Sequence, residues 1–139
     1  MFHLRLPLAL LAALAGPSAA FACTMSGENP SFIVEVESLH TNLENGDYAG
    51  FIEDVRMLGG IDATGIANGI AANFPNGFES CRTIVQRRDI GGMTQSIAIF
   101  LTPDKSIYLY SLSAIENGAF KLLTLTVSED AQAALANLR

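Results

Sequence analysis

Histidine and cysteine are nearly absent from this 139-residue chain, with two of each. The shortage removes most chemistry at the outset: there is no Cys-x-x-Cys spacing and no histidine near either cysteine in sequence, which argues against a metal or redox centre. Bases are scarce as well, 8 Lys and Arg against 14 acids. That balance is a poor fit to nucleic acid or to an anionic membrane surface. No Ser, His and Asp arrangement, metal-ligand cluster or nucleotide fingerprint stands out, so no cofactor or metal is expected. Gly91-Gly92 lacks the helix start that would make it a phosphate cradle and reads as a turn. Low-complexity tracts and internal repeats are missing too, and half of the residues are hydrophobic. The chain is built to fold.

The one long apolar run lies at the start. His3 and Arg5 supply a weakly positive start, Leu4 to Ala15 an apolar stretch, Gly16-Pro17 breaks the helix, and Ala20-Phe21-Ala22 offers small residues for cleavage. These are the three parts of a secretory signal. A spanning helix needs roughly 20 apolar residues, and here Pro7 and Gly16 interrupt the run. Residues 1–22 therefore read as a cleaved signal peptide and 23–139 as one exported domain, periplasmic or secreted. Removing the leader leaves 117 residues and takes away Arg5, which moves the net charge from −6 to −7. Such a length fits one domain with a modest core.

The first residue after the cut is Cys23, and the only other cysteine is Cys81. A lipidated Cys23 cannot also bond to Cys81, so the two fates exclude each other. A lipoprotein site wants a bulky aliphatic residue three before the cysteine, where this chain has Ala20. The expectation is a Cys23 to Cys81 disulfide in an oxidising compartment, with no membrane association unless Cys23 is lipidated.

Helical spacing dominates the first part of the mature chain. Asn29-Pro30 suits a helix start, Phe32, Val36, Leu39 and Leu43 form a stripe with Ile33 and His40 beside it, and Asn45-Gly46 ends it. Asp47 caps a second helix with Tyr48, Phe51, Ile52 and Val55 inward, stopped by Gly59-Gly60. Asp62 to Phe74 predicts a third, in which Gly65 and Gly69 weaken the helix and invite close packing against a neighbour. Strand patterns follow over Phe78 to Asp89, Met93 to Leu101, Ser106 to Ile115 and Ala119 to Val127. Turn residues at Gly91-Gly92, Pro103-Asp104-Lys105 and Asn117-Gly118 join them into a four-stranded antiparallel meander. Met93, Ile97, Ile99 and Leu101 share one face, as do Leu123, Leu125 and Val127, and the helices are the natural cover for an apolar face. Ser128 caps a short final helix through Leu138, with Glu129 and Asp130 in its first turn. The fold class is α+β: N-terminal helices on a curved four-stranded meander, then a short C-terminal helix.

The helical start with Gly46-Asp47-Tyr48-Ala49-Gly50-Phe51, followed by Ile107-Tyr108-Leu109-Tyr110 and Phe120-Lys121-Leu122-Leu123-Thr124-Leu125, resembles small secreted members of the nuclear-transport-factor-2-like, cystatin-like superfamily. That resemblance implies a bent sheet wrapped around helices, a cone whose open end can hold an apolar ligand-binding pocket. The superfamily hosts isomerases, dehydratases, ligand-binding domains and exported proteins of unassigned role, so the fold does not choose among them. This chain departs from the common order in having no clear strand between its second and third helices.

Candidate side chains are few. His40 is the only histidine of the mature chain and the one weak catalytic candidate, a general base if a cleft and a polar partner surround it; a helical histidine at such a border is more often surface or packed. Glu35, Glu37, Glu53 and Asp54 are possible paired carboxylates, but their positions suit a solvated face. Arg82, Arg87, Arg88 and Asp89 form one cluster on the first long strand. Arg87 and Arg88 point to opposite faces, so Arg82 and Arg88 are placed together as a receiver for an anion or a partner's carboxylate. The plainer reading is a charged outer face. Tyr48, Tyr108 and Tyr110 are pocket or partner candidates, with ordinary packing as the default. The expected function is an exported, non-catalytic domain that binds a protein or envelope component; the alternatives are a carrier of a small apolar ligand and a pocket enzyme using His40. A homodimer is compatible with either.

Overall fold

The computed structural model describes residues 23–25, 33–89 and 91–138. The element order is β1 (Cys23–Met25), α1 (Val34–Glu44), α2 (Tyr48–Gly59), α3 (Thr64–Asn73), β2 (Ser80–Arg88), β3 (Met93–Leu101), β4 (Ser106–Glu116), β5 (Ala119–Ser128) and α4 (Ala131–Leu135). Strands β2 to β5 form the antiparallel meander in sequence order. Strand β1 adds a short fifth strand, parallel to β2, which the strand patterns do not announce. The fold is α+β, three helices against a curled sheet and a short C-terminal helix.

Local chemistry sets the helix ends. The Asp47 carboxylate accepts the Gly50 N–H at 2.9 Å at the start of α2, and Gly60 closes that helix with φ +65°. Val36, Leu39 and Leu43 of α1, with Phe51 and Val55 of α2, are buried. Ala63, Ala67 and Ile70 bring α3 into the same core. Asn29, Pro30 and Phe32 lie outside the described residues, as does the leader. The expectation that Gly65 and Gly69 allow close packing is corrected, since a side chain at either would meet nothing within 4 Å. The close approach is elsewhere. Gly77, at φ +76°, lies so near the end of α1 that an added Cβ would collide with the Glu44 carbonyl oxygen, and the next residue's N–H, that of Phe78, donates to that same oxygen at 2.8 Å.

Two bulges decide which residues face the helices. In β2 the register slips between Thr83 and Val85, leaving Ile84 as an extra residue, and in β5 it slips beside Leu123. Each extra residue reverses the alternation of sides beyond it and bends its strand. On the helix side Cys81, Phe100 and Ile107 stand in one row across the sheet, followed by Thr83, Ala98, Leu109 and Val127. Next come Gln86, Ser96, Ser111 and Leu125, then Arg88, Thr94, Ser113 and Leu122. The helices thus cover the side of β3 that carries Ala98 and Phe100. The expectation that Met93, Ile97, Ile99 and Leu101 meet them is corrected: these residues face the other way, with Tyr108 and Tyr110 of β4. Phe100 with Ile107 and Phe78 makes a better core than the longer apolar run because these side chains sit where the helices close over the sheet.

The C-terminal helix also differs from expectation. Asp130, not Ser128, caps it by accepting the Ala133 N–H at 2.8 Å, and it ends at Leu135 rather than Leu138. Ser128 instead exchanges hydrogen bonds with Asp130 in the preceding turn. With Ala136 and Asn137 this segment lies over the outer side of β4 and β5.

Candidate functional site

Cys23 and Cys81 are direct partners in the β1 and β2 register, with Cα atoms 4.5 Å apart, and their sulfurs are bonded. That separation lies within the ordinary range for a disulfide. The sulfur of Cys23 is therefore occupied, and Cys23 has no solvent exposure. Directly beside it stands α1. The Glu37 Oε2 lies 3.5 Å from the Cys23 backbone nitrogen, and its Oε1 lies 3.4 Å from His40 Nδ1. Glu37 is 6% exposed and His40 1%. The Glu37 and His40 contact has the distance of an ion pair without hydrogen-bond alignment. The His40 ring stands edge-on to Phe100 at 5.6 Å between centroids. Glu44, one turn further along, has its carboxyl raised above the ordinary range by burial first and by repulsion from Glu37 second, with His40 pulling the other way.

Away from this closed end the helix side of the sheet becomes polar. Thr83 and Ser96 are buried, and their hydroxyls have no hydrogen-bond partner among the described residues. The row Arg88, Thr94 and Ser113 then opens into a cavity of about 400 Å³. Its walls are Ile33, Val34 and Glu35 at the start of α1, and Ile115 and Phe120, cross-strand partners on β4 and β5. Val34 is 65% exposed and Ile115 62%, so this end of the sheet presents apolar surface to solvent. Among the described residues no acid makes an ion pair with Arg88. The cavity offers a cation, an acid, two hydroxyls and an apolar wall, a composition suited to holding a molecule.

The remaining candidates separate. Arg82 and Arg88 do not share a face, which corrects their pairing: the bulge at Ile84 leaves Arg82 on the outer side opposite Ile99 and places Arg88 on the helix side opposite Thr94, exposed at the edge of the cavity. Arg87, the outward one, contacts Asp89 at 3.4 Å. Tyr110 is buried on the outer side, with its hydroxyl 3.3 Å from Gln95 Oε1, and Gln95 Nε2 donates to Asp89. It lines a second cavity of about 400 Å³ beneath the C-terminal segment, whereas Tyr108 does not. Tyr48 donates its hydroxyl to the Phe74 carbonyl, tying α2 to the end of α3, and burial raises its phenol above the usual range. Glu53 pairs with Arg56 on the exposed side of α2. Asp54 accepts from Ser38 at 2.6 Å and Asn42 at 2.9 Å, joining α1 to α2. Of the four carboxylates only Glu37 is buried, and Glu35 stands at the mouth.

Sequence reasoning placed His40 beside the stripe but missed Glu37 as its partner, although their spacing of three residues puts both on one helix face. It also missed Thr94 and Ser113. The signal was there, small polar residues at alternate positions in two neighbouring strands, Thr94 and Ser96 against Ser111 and Ser113. No family model, curated protein or solved structure matches this chain.

Proposed function

We propose that this chain is an exported binding domain without catalytic chemistry, periplasmic or secreted after loss of residues 1–22, and that its open mouth takes an envelope component: an acyl chain carrying an anionic head. The observation that carries this reading is Arg88, placed by the bulge at Ile84 at the edge of a cavity walled by Ile33, Ile115 and Phe120. The guanidinium suits a carboxylate or phosphate, while the apolar wall suits the chain. The cavity's volume falls in the range of small-ligand sites, about 300–1,000 Å³. The nuclear-transport-factor-2-like resemblance implies a bent sheet with a pocket at its open end, which fits this reading. The disulfide supports an oxidising compartment, and no helix among the described residues is long and apolar enough to cross a membrane.

The enzyme alternative draws less support. His40 lines none of the cavities described above, and its ring is packed on Phe100. Calorimetric titration with decanoate and, separately, with decanol tests the proposal. Binding of decanoate, weakened about tenfold or more by Arg88→Ala and unchanged by Arg82→Ala, supports it. Equal binding of decanol reassigns the mouth to a neutral apolar ligand. Absence of binding together with a concentration-dependent doubling of mass reassigns it to a second copy of the chain.

A further inference from the structure

The end of the sheet beside Cys23 holds a charge problem. Glu37 is buried beside Glu44, and among the described residues the only basic side chain in contact with it is His40. Removing a carboxylate from water costs several kcal/mol unless charge and hydrogen bonds compensate. The second oxygen of Glu37 is directed at a main-chain nitrogen, that of Cys23, at 3.5 Å. This is long for a neutral amide hydrogen bond but an ordinary separation for an ion pair. Cys23 is also the residue that follows the leader. Hydrolysis of the Ala22 to Cys23 amide by the export peptidase consumes one water, leaves a carboxylate on Ala22 and an amine on Cys23, and that amine takes up a proton near neutral pH.

We infer that the α-ammonium group created at Cys23 by leader removal is the resident cation of the buried Glu37 and His40 cluster, so that processing completes the charge balance of the fold. The inference rests on cleavage before Cys23, as the proposed function does, and goes beyond it. Two independent constraints hold the nitrogen in place. The parallel pairing with β2 fixes the backbone, and the disulfide to Cys81 fixes the side chain. Glu37 in turn is held by α1, through Leu39 and Leu43 in the core. In the uncleaved chain the same nitrogen is a neutral amide and leaves Glu37 short of positive charge. A single bond cleavage outside the domain thereby changes the stability of its interior.

The test compares oxidised protein beginning at Cys23 with protein extended by Ala22, each with Glu37 intact and with Glu37→Gln, by urea denaturation. The intact mass of protein exported with its own leader reports separately where cleavage occurs. With Glu37, the Cys23 form is expected to unfold with an equilibrium constant roughly tenfold or more smaller than the extended form. With Glu37→Gln, the difference is expected to collapse to about twofold or less. Equal constants in the Glu37 background overturn the inference, and so does an unchanged difference in the glutamine background, which assigns the effect to steric disruption of β1. If Glu37→Gln does not fold, the rate at which an acylating reagent labels the Cys23 amine decides. Labelling in the folded protein slowed no more than burial slows exchange of neighbouring amides overturns it, and a further shift of its pH profile to higher pH supports it. A mass showing cleavage elsewhere defeats the processing reading, while the denaturation series still judges the ion pair.

Discussion

Cys23 and Cys81 stand opposite each other at the first register position of the parallel β1 and β2 pair, and the bond between them spans 58 residues of sequence. In the chain-entropy account, closing a loop of that size stabilises a fold by about 4 kcal/mol. Cys81→Ser is expected to lower the melting temperature by on the order of 20 °C under oxidising conditions. Reductant should bring the unmodified protein down to a similar value. Calorimetry with and without reductant checks both, and an unchanged melting curve for Cys81→Ser refutes a structural bond.

Gly77 and Gly65 give opposite answers to the same substitution. A Cβ at Gly77 would overlap the Glu44 carbonyl oxygen and sit on a backbone at φ +76°, whereas one at Gly65 meets nothing within 4 Å. Gly77→Ala is expected to cost about 2–4 kcal/mol, combining left-handed strain with overpacking. Gly65→Ala, inside α3, is expected to add about 1 kcal/mol through helix propensity. Urea midpoints of the two variants settle the contrast.

Glu44 links stability to pH. Its carboxyl is raised by burial, with repulsion from Glu37 adding to it, so the folded state holds its proton more tightly than the unfolded chain does. The stabilising contribution is complete below the unfolded carboxyl range and is lost as pH rises through the folded value. At neutral pH the ionised group is a small liability, under about 1 kcal/mol after solvent screening. Glu44→Gln should therefore raise the melting temperature slightly at pH 7 and leave it unchanged at acid pH. A gain of equal size at both values counts against the assignment.

His40 is set for packing, 1% exposed and edge-on to Phe100. His40→Ala is expected to cost about 2–4 kcal/mol by leaving a cavity against Phe100. Binding at the mouth, measured below the melting point of the variant, should stay within about twofold of the parent. Loss of binding with an intact fold would restore His40 as a functional residue.

Much of this architecture was legible where chemistry is local. Asp47, Gly60, and Asn117-Gly118 with φ +53° and +79° mark their boundaries through capping and left-handed backbone alone. Strand β1 was not legible, because three residues carry no periodic pattern and their pairing depends on a partner at Cys81. The facing of Arg88 was not legible either. Parity along β2 groups it with Arg82, and only the register against β3, a property of two strands together, reveals the extra residue at Ile84. The same holds for Glu37, whose burial is set by the strand placed beside it rather than by its own helix.

The bond between Cys23 and Cys81 also has a mechanical consequence. All three helices α1, α2 and α3 lie within the covalent ring it closes. Tension applied between Cys23 and the C-terminal end passes across the bond into β2 and on through the meander, so the helical layer bears none of it. Pulling the oxidised protein hides about 200 Å of contour inside the ring, and reduction releases that length as extra extension.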